Sequence, residues 1–180
     1  GSGSDIVVAG NLTAKEGGNI NIEGDFLSFG GEVDVSGTNA GAINLNSSGE
    51  IALGGTLNAS STGNDGGDIN IKSQYKIVQS HSSEINSSGN TNGGNILLSA
   101  PNIMSSGSVS AKGNQQGGYI DIESEGYIRL LSSKIDVTGN TQGGLVRIGG
   151  EFQGNNNLTR TEEQQDVFVD RWGERRSLTN

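Results

Sequence analysis

The chain lacks cysteine altogether, and its 180 residues include a single histidine, His81, and a single proline. Without cysteine there is neither a disulfide framework nor a thiolate metal site, and one histidine excludes imidazole clusters. Long apolar runs are also missing, since none exceeds four residues. A bilayer-spanning helix needs about 20 apolar residues, so the sequence predicts no transmembrane segment.

Positive charge and aromatic side chains are scarce. Lysine and arginine number 11 against 20 aspartates and glutamates, which gives a formal net charge of −9. Because phosphate contacts need clustered cations, this balance argues against a nucleic-acid partner. Aromatic residues make up 4% and hydrophobic residues 31% of the chain, as in many disordered proteins. Charged residues, however, are only 17% and glycine numbers 31, which favours a repeat that places its few apolar residues inside.

A unit of two small residues followed by alternating apolar and polar residues recurs along the chain. Its starts are separated by 23, 26, 27, 24 and 26 residues. The units span residues 17–22, 40–45, 66–71, 93–98, 117–122 and 143–148. Alternation with a period of two predicts strands that bury one face.

Two further apolar pairs follow in each unit, and we interpret them as a middle and a third strand. The middle pairs are Leu27 and Phe29, Ile51 and Leu53, Tyr75 and Ile77, Ile103 alone, and Ile128 and Leu130. The third pairs are Val33 and Val35, Leu57 and Ala59, Ile85 and Ser87, Val109 and Ala111, and Ile135 and Val137. Residues 5–16 fit the end of an earlier unit, with the pairs Ile6 and Val8, and Leu12 and Ala14.

Three short strands per unit leave no room for a helix of ordinary length. The sequence therefore predicts an all-β fold, a parallel β-helix (β-solenoid) of six to seven coils of roughly 25 residues, with three short strands per coil. Two inward ladders are predicted in the first strands: Ile20, Ile43, Ile69, Ile96, Ile120 and Val146, and Ile22, Leu45, Ile71, Leu98, Ile122 and Ile148. The outward alternates Asn21, Asn44, Asn70, Asp121 and Arg147 are predicted to face water, and the paired glycines to need positive φ.

The same pattern divides the chain into three parts. Residues 1–4, Gly-Ser-Gly-Ser, are interpreted as a cloning remnant. Residues 5–148 are predicted to form the β-helix coils. Residues 149–180 are predicted to form an irregular excursion and a final partial coil, in which 166–169 resume strand character.

Several of these stretches together resemble the filamentous haemagglutinin type of large exoprotein. They are the Gly-Gly-x-Ile-x-Ile coils, the third-strand endings Val-Ser-Gly-Thr at 35–38 and Val-Thr-Gly-Asn at 137–140, and Gly-Gly-Leu-Val-Arg-Ile-Gly-Gly-Glu-Phe-Gln-Gly at 143–154. The coil pattern is generic to β-helices, whereas Arg-Ile-Gly-Gly-Glu-Phe-Gln-Gly is more specific to this family. The resemblance covers residues 5 to about 170.

This resemblance implies a right-handed parallel β-helix that Gram-negative bacteria secrete through an outer-membrane partner, by two-partner secretion. Members of the family act as adhesins linked to virulence, as haemolysins, or as stalks that carry a toxin. The Asn-Pro-Asn-Gly-type motifs of the family's secretion domain are missing here, so the resemblance places the chain in the rod or repeat region. The implied partners are the secretion partner of the full-length protein and a glycan or receptor on host or bacterial cells.

Three groups of side chains are candidate sites. His81 lies between serines, but adjacent loop residues do not make a catalytic triad, so an exposed corner histidine is expected. Asp121, Glu123 and Glu125 alternate on one face, as carboxylates do in polysaccharide-cleaving β-helices; Asn46, Lys72 and Ser99 are expected to separate them from Glu23. Asn64, Asp65 and Asp68 share a corner that could attract calcium, yet six to eight oxygens must converge. No catalytic, cofactor or metal residue is assigned.

Two further features carry less weight. Glycosylation sequons occur at Asn11, Asn46, Asn58, Asn86 and Asn157, as chance allows in a chain this rich in Asn, Ser and Thr. The stretch 171–176 holds the only tryptophan, Trp172, which is expected to cover an end of the coil stack.

The sequence thus leaves three functions open. The first is a non-enzymatic rod or adhesive segment of a secreted bacterial surface protein, supported by a repeat without convergent chemistry. The second is a polysaccharide-binding or polysaccharide-cleaving β-helix. The third is a passive stalk that displays a distal toxin.

Overall fold

The computed structural model describes residues 4–149, Val167–Val169 and Arg175–Ser177. The chain divides into two compact units, Gly1–Gly150 and Glu151–Asn180. Eighteen strands build the described part of the first unit, and no described residue lies in an α-helix. Over the same residues there is no helical segment with the length and apolarity needed to cross a bilayer.

The eighteen strands form three sheets. Sheet 1 contains β3 (Asn19–Gly24), β6 (Ala42–Ser47), β9 (Asp68–Ser73), β12 (Asn95–Ser99), β15 (Tyr119–Glu123) and β18 (Leu145–Ile148). Sheet 2 contains β1 (Asp5–Val8), β4 (Phe26–Phe29), β7 (Glu50–Leu53), β10 (Lys76–Gln79), β13 (Asn102–Ser105) and β16 (Tyr127–Leu130). Sheet 3 contains β2 (Leu12–Thr13), β5 (Glu32–Asp34), β8 (Thr56–Asn58), β11 (Glu84–Asn86), β14 (Ser108–Ser110) and β17 (Lys134–Asp136).

Each strand pairs in parallel with the strand of the same sheet one coil before or after it. The register follows the repeat, so that Ile43 of β6 lies between Ile20 of β3 and Ile69 of β9. A chain that returns to each sheet one layer further along is a β-solenoid, here of about six coils. The predicted fold class and the spacing near 25 residues are therefore confirmed.

The core is a narrow column filled by the predicted inward side chains. In the inner coils these side chains, with the exception of Tyr75, are at most 2% exposed, as at Leu27, Ile69 and Val109. Strands in adjacent coils lie about 4.8 Å apart, so each ladder stacks one apolar side chain directly on the next. Full burial of one such Ile or Leu contributes about 1.5–3 kcal/mol, which explains how few apolar residues suffice.

One predicted middle pair is wrong. Tyr75 is 57% exposed, and the inward positions of β10 belong instead to Ile77 and Gln79, which are 0% and 1% exposed. The register aligns Gln79 with Leu53 of the preceding coil. In the sequence, the apolar character of Tyr75 favoured an inward position for its side chain. The strand register instead places a polar amide in the core.

The buried amide of Gln79 is accommodated because neighbouring coils satisfy its hydrogen bonds. Its Nε2 donates to the carbonyl oxygen of Ser108 at 3.0 Å, and its Oε1 accepts from Ser105 Oγ at 2.6 Å. Ser105 occupies the same inward position one coil later and is also 1% exposed. A paired polar group of this kind avoids the cost of an unsatisfied one.

The prediction that paired glycines need positive φ is wrong for the inner corners. Gly17 and Gly149 are the only glycines with positive φ in the described part of the chain. A Cβ built at Gly94, by contrast, would lie under 3.0 Å from the carbonyl oxygen of Gly67 one coil below. Glycine is required there because the backbones of successive coils approach closely.

In the second unit, β19 (Val167–Val169) pairs antiparallel with β20 (Arg175–Ser177). The first of these strands agrees with the strand character predicted for 166–169. The rest of the predicted excursion and final coil lies outside the described residues.

Candidate functional site

The polar groups that the sequence suggested as sites lie on the outer faces of the sheets and at the corners between strands. His81 lies at an exposed corner between β10 and β11, where its Nδ1 is 3.3 Å from the carbonyl oxygen of Ser106. No hydrogen bond joins its imidazole to a serine hydroxyl or a carboxylate among the described residues. The prediction of an exposed corner histidine is confirmed.

The predicted interruption of the acidic row on sheet 1 is also confirmed. From coil to coil the row contains Glu23, Asn46, Lys72, Ser99 and Glu123 in direct register. The two glutamates are therefore four coils apart, with an amide, a cation and a hydroxyl between them. They cannot face one sugar ring, because paired carboxyls in glycoside hydrolysis lie within about 5–9.5 Å.

Asp121 does not face water as predicted. It points outward from β15, yet it is only 4% exposed because Arg147 and Tyr119 cover it. Arg147 Nε donates to Asp121 Oδ1 at 2.9 Å, and the Tyr119 hydroxyl donates to Asp121 Oδ2 at 3.1 Å. A second nitrogen of the same guanidinium binds both Asp121 and Glu123. One arginine from β18 thus joins two carboxylates of β15.

Burial and the ion pairs of this cluster shift the pKa values of Glu123 and Arg147. Burial first, and then repulsion from Asp121, raises the pKa of Glu123, while the guanidinium opposes that rise. The hydrogen bond to Asp121 raises the pKa of Arg147, so the guanidinium stays charged at any relevant pH. One permanently charged guanidinium thus binds two carboxylates of the adjacent coil and links the two coils. Both carboxylates are already engaged in these ion pairs.

The other predicted outward residues of this face pair with one another. Asn44 Nδ2 donates to Asn21 Oδ1 at 2.7 Å, and Asn70 Nδ2 donates to Asn44 Oδ1 at 2.9 Å. Asn44 and Asn70 are consequently half-buried rather than fully exposed. This amide ladder links three successive coils and corrects the simple expectation that these side chains only contact water.

The corner considered for calcium shows the same coil-to-coil pairing. Asp65 Oδ1 accepts from Asn92 Nδ2 at 2.9 Å, and Asp68 Oδ1 accepts from Asn95 Nδ2 at 2.8 Å. Asn64 Nδ2 donates toward the preceding coil, to Asn39. The three side chains therefore bind three different partners instead of converging. Over residues 4–149 no three His, Asp or Glu side chains gather as a metal-ligand set.

Ion pairs likewise connect neighbouring coils. Their partners, separated by 2.9–3.1 Å, are Lys15 and Asp34, Lys76 and Glu50, and Lys112 and Asp136. Burial alone would raise the pKa of Asp34, but hydrogen bonds from Ser36 and the ion pair with Lys15 outweigh it and lower the pKa. The ionised form of Asp34 is thus the form that the fold favours.

One feature was missed in the sequence: a groove of about 400 Å³ along the corners that precede β12, β15 and β18. Its floor is formed by Gly93 and by the glycine pairs at 117–118 and 143–144. One wall carries the amides Asn92, Gln116 and Gln142, which isolated parallel bridges hold in register. The opposite wall carries Asn95, Tyr119 and Leu145, aligned by the strand pairing of sheet 1. We call it the amide groove; its sequence signal is an amide residue directly before each of three successive glycine pairs.

The remaining sequence features divide between the two parts of the chain. Asn58 and Asn86 end β8 and β11, and Asn46 is exposed on β6, whereas Asn11 precedes β2. Asn157 and Trp172 lie outside the described residues. Comparison of the chain with protein-family models, with curated proteins and with solved structures finds no match.

Proposed function

We propose that this chain is a non-enzymatic rod or adhesive segment of a secreted bacterial surface exoprotein of the filamentous haemagglutinin type. In this proposal it mediates attachment to host or neighbouring cells. The observation that supports it best is the pairing of the polar side chains: the groups at the candidate sites form hydrogen bonds or ion pairs with the adjacent coil. Such pairing stiffens a stack of coils and leaves an extended, repetitive surface for contact.

The charge distribution supports a contact surface rather than a reaction centre. Asp121 and Glu123 share one guanidinium, Asp65 and Asp68 accept from asparagines, and the His81 imidazole contacts the backbone carbonyl of Ser106. General acid–base catalysis needs a proton-transferring group that is free to reach its substrate. The described outer faces instead offer amides, hydroxyls and single charges at the spacing of the coils.

Localisation and partners in this proposal come from the resemblance of residues 143–154 to the exoprotein family. The full-length protein would be secreted through an outer-membrane partner and displayed outside the cell. Its counterpart would be a glycan or receptor on a host or bacterial surface. The net charge of −9 supports a counterpart that is not itself strongly acidic.

Adhesion can be measured with fluorescent beads coated with the purified chain and incubated with epithelial cells and with Gram-negative bacteria. We expect saturable bead binding that excess free chain abolishes. Two variants that add the same charge provide the control. Ile69→Asp buries an unpaired carboxylate and should abolish folding and adhesion, whereas Asn46→Asp lies on the exposed face and should leave both intact.

Two results would contradict the proposal. Beads carrying the folded chain that bind no better than beads carrying the Ile69→Asp variant would favour a passive stalk. Release of reducing ends or unsaturated products from pectin-like or host-type glycans would indicate an enzyme instead.

A further inference from the structure

Part of the wall of the amide groove has no hydrogen-bonding partner among the described residues. The side-chain amides of Gln116 and Gln142 form no hydrogen bond with any described residue, and both side chains are exposed. Several other amides of the outer surface, such as Asn44 and Asn70, pair from coil to coil. Two stacked glutamines therefore face the groove with their hydrogen-bonding capacity unused.

The asparagines of the groove supply the complementary half of the hydrogen-bonding pattern. Asn92 and Asn95 use their Nδ2 donors on Asp65 and Asp68, which leaves their Oδ1 atoms as acceptors. The glutamines offer both a donor and an acceptor. Hydroxyl groups donate and accept at once, so a ligand rich in hydroxyls matches this combination.

The charge of the lining selects the class of that ligand. Among the described residues that line the groove, Tyr119 has the one ionisable side chain. Burial, followed by its hydrogen bond to Asp121, raises the pKa of Tyr119, so the phenol remains neutral. The groove thus offers no cation for a phosphate, sulfate or uronate, and the net charge of −9 repels them.

The backbone hydrogen bonds and the spacing of the side chains in the groove favour a glycan over a peptide as its ligand. A peptide bound in extended form pairs with free backbone groups, but the N–H groups of Gly93 and Gly117 in the floor are already used: they donate to Gln116 O and Gln142 O, each at 2.9 Å. What remains are side-chain amides repeated every coil, about 4.8 Å apart, a spacing close to the length of one sugar ring in an extended chain. Tyr119 and the 60%-exposed Leu145 add apolar surface for the C–H face of a ring.

We propose that the amide groove binds a linear, uncharged oligosaccharide along the axis of the coil stack. The inference rests on the proposed adhesive function and gives it a location and a ligand class. Gln116 and Gln142 are the donors to sugar hydroxyls, Asn92 and Asn95 the acceptors, and Tyr119 and Leu145 the apolar rim. Three coils of groove accommodate two to three consecutive sugar units.

The experiment is a titration of the ¹⁵N-labelled chain, followed by NMR, with tetrasaccharides of β-linked glucose, mannose and N-acetylglucosamine, and with tetragalacturonate as the acidic comparison. We expect saturable shifts at 92–95, 116–119 and 142–145 for at least one uncharged tetrasaccharide. The double variant Gln116→Ala/Gln142→Ala should weaken that binding about tenfold, as the loss of two hydrogen bonds predicts. Gln115→Ala changes another exposed glutamine, which lies outside the groove, and should leave the affinity within about twofold of the unmodified chain.

Three results would overturn the inference: no saturable shift up to about 10 mM of any uncharged tetrasaccharide, tighter binding of tetragalacturonate, or equal effects of Gln115→Ala and the double variant. Bead adhesion separates this failure from that of the proposed function. If no uncharged tetrasaccharide binds and beads carrying the double variant adhere to cells as well as the unmodified chain, the groove assignment fails and the adhesive function stands. If a tetrasaccharide binds in the groove while beads adhere to no cell, the adhesive function fails and the groove assignment stands.

Discussion

At the scale of single residues, the polar side chains of this protein act mainly between coils. Asp34 is an example: it is 6% exposed, lies on β5, and is held by the backbone N–H of Ser36 at 2.9 Å and by Lys15 of the preceding coil. Lys15 is itself half-exposed, so solvent screens much of that ion pair. The hydrogen bonds from Ser36 therefore contribute most to holding Asp34 in its ionised form.

Acid should destabilise the protein partly through Asp34. Its pKa in the folded chain is lower than its ordinary value, so the ionised form stabilises the fold above about pH 4, and this contribution is lost as the pH falls further. We expect Asp34→Asn to lower the free energy of unfolding by about 1–2 kcal/mol at pH 7 and to reduce its decline between about pH 4 and 2. Urea unfolding at a series of pH values measures both effects.

Lys15→Ala is the matched control for this experiment. It removes only the screened partner, so its cost should stay below about 1 kcal/mol. An Asp34→Asn variant with an unchanged unfolding free energy and an unchanged pH slope would show that the carboxylate is not stabilised in the fold.

At the scale of the elements, the corners before sheet 1 determine how closely the coils can stack. The second glycine of each inner pair lies directly over its counterpart in the preceding coil, as Gly94 does over Gly67 and Gly118 over Gly94. Any side chain there would separate two backbones that hydrogen bonds hold together, such as Asn95 N to Gly67 O at 3.1 Å. The glycine pairs are therefore a packing requirement of the solenoid.

Gly94→Ala should lower the free energy of unfolding by about 1–3 kcal/mol, because the added methyl group overlaps backbone atoms that cannot move independently. Gly30→Ala is the control, since a Cβ at Gly30 meets no atom within 4 Å and φ there is not positive. It should be neutral or stabilise by up to about 1 kcal/mol. Equal destabilisation by the two variants in urea melts would refute the packing explanation.

At the scale of the whole molecule, stability should vary along the described coil stack. The side chains of inner coils, such as Ile69 and Ile96, are at most 1% exposed, whereas Leu12 of β2 is 36% exposed and Ile6 is only partly buried. Strands β1 and β2 lie at the edges of their sheets, with a described partner on one side only. Edge strands are the places where local opening begins.

Hydrogen exchange of this chain should therefore be graded. We expect amides of residues 5–16 to exchange through local opening well before those of residues 66–111, whose protection should approach the global unfolding free energy. Mass spectrometry of peptides after timed deuteration gives the measurement. Equal protection in the two segments would mean that the first coil is stabilised by contacts other than those described.

The sequence by itself determined the fold. The alternation of apolar residues at a period of two, repeated about every 25 residues, requires strands with one buried face at the same phase in each coil. That pattern correctly predicted the ladder in which Ile20 and its equivalents in the following coils, up to Val146, stack on one another. The prediction was wrong at Tyr75 and Gln79. By hydrophobicity a tyrosine is the better candidate for a core position, but here the tyrosine is exposed and the glutamine is buried with its hydrogen bonds satisfied.

Only the tertiary structure decided what the outer surface presents. The burial of Asp121 depends on Arg147, and the amide groove depends on Asn92, Gln116 and Gln142; these partners are 24 to 26 residues apart in the chain. Sequence patterning specifies which side chains point outward, because that follows from the local strand. It does not specify which of them meet, because lateral neighbours arise only when successive coils stack at about 4.8 Å.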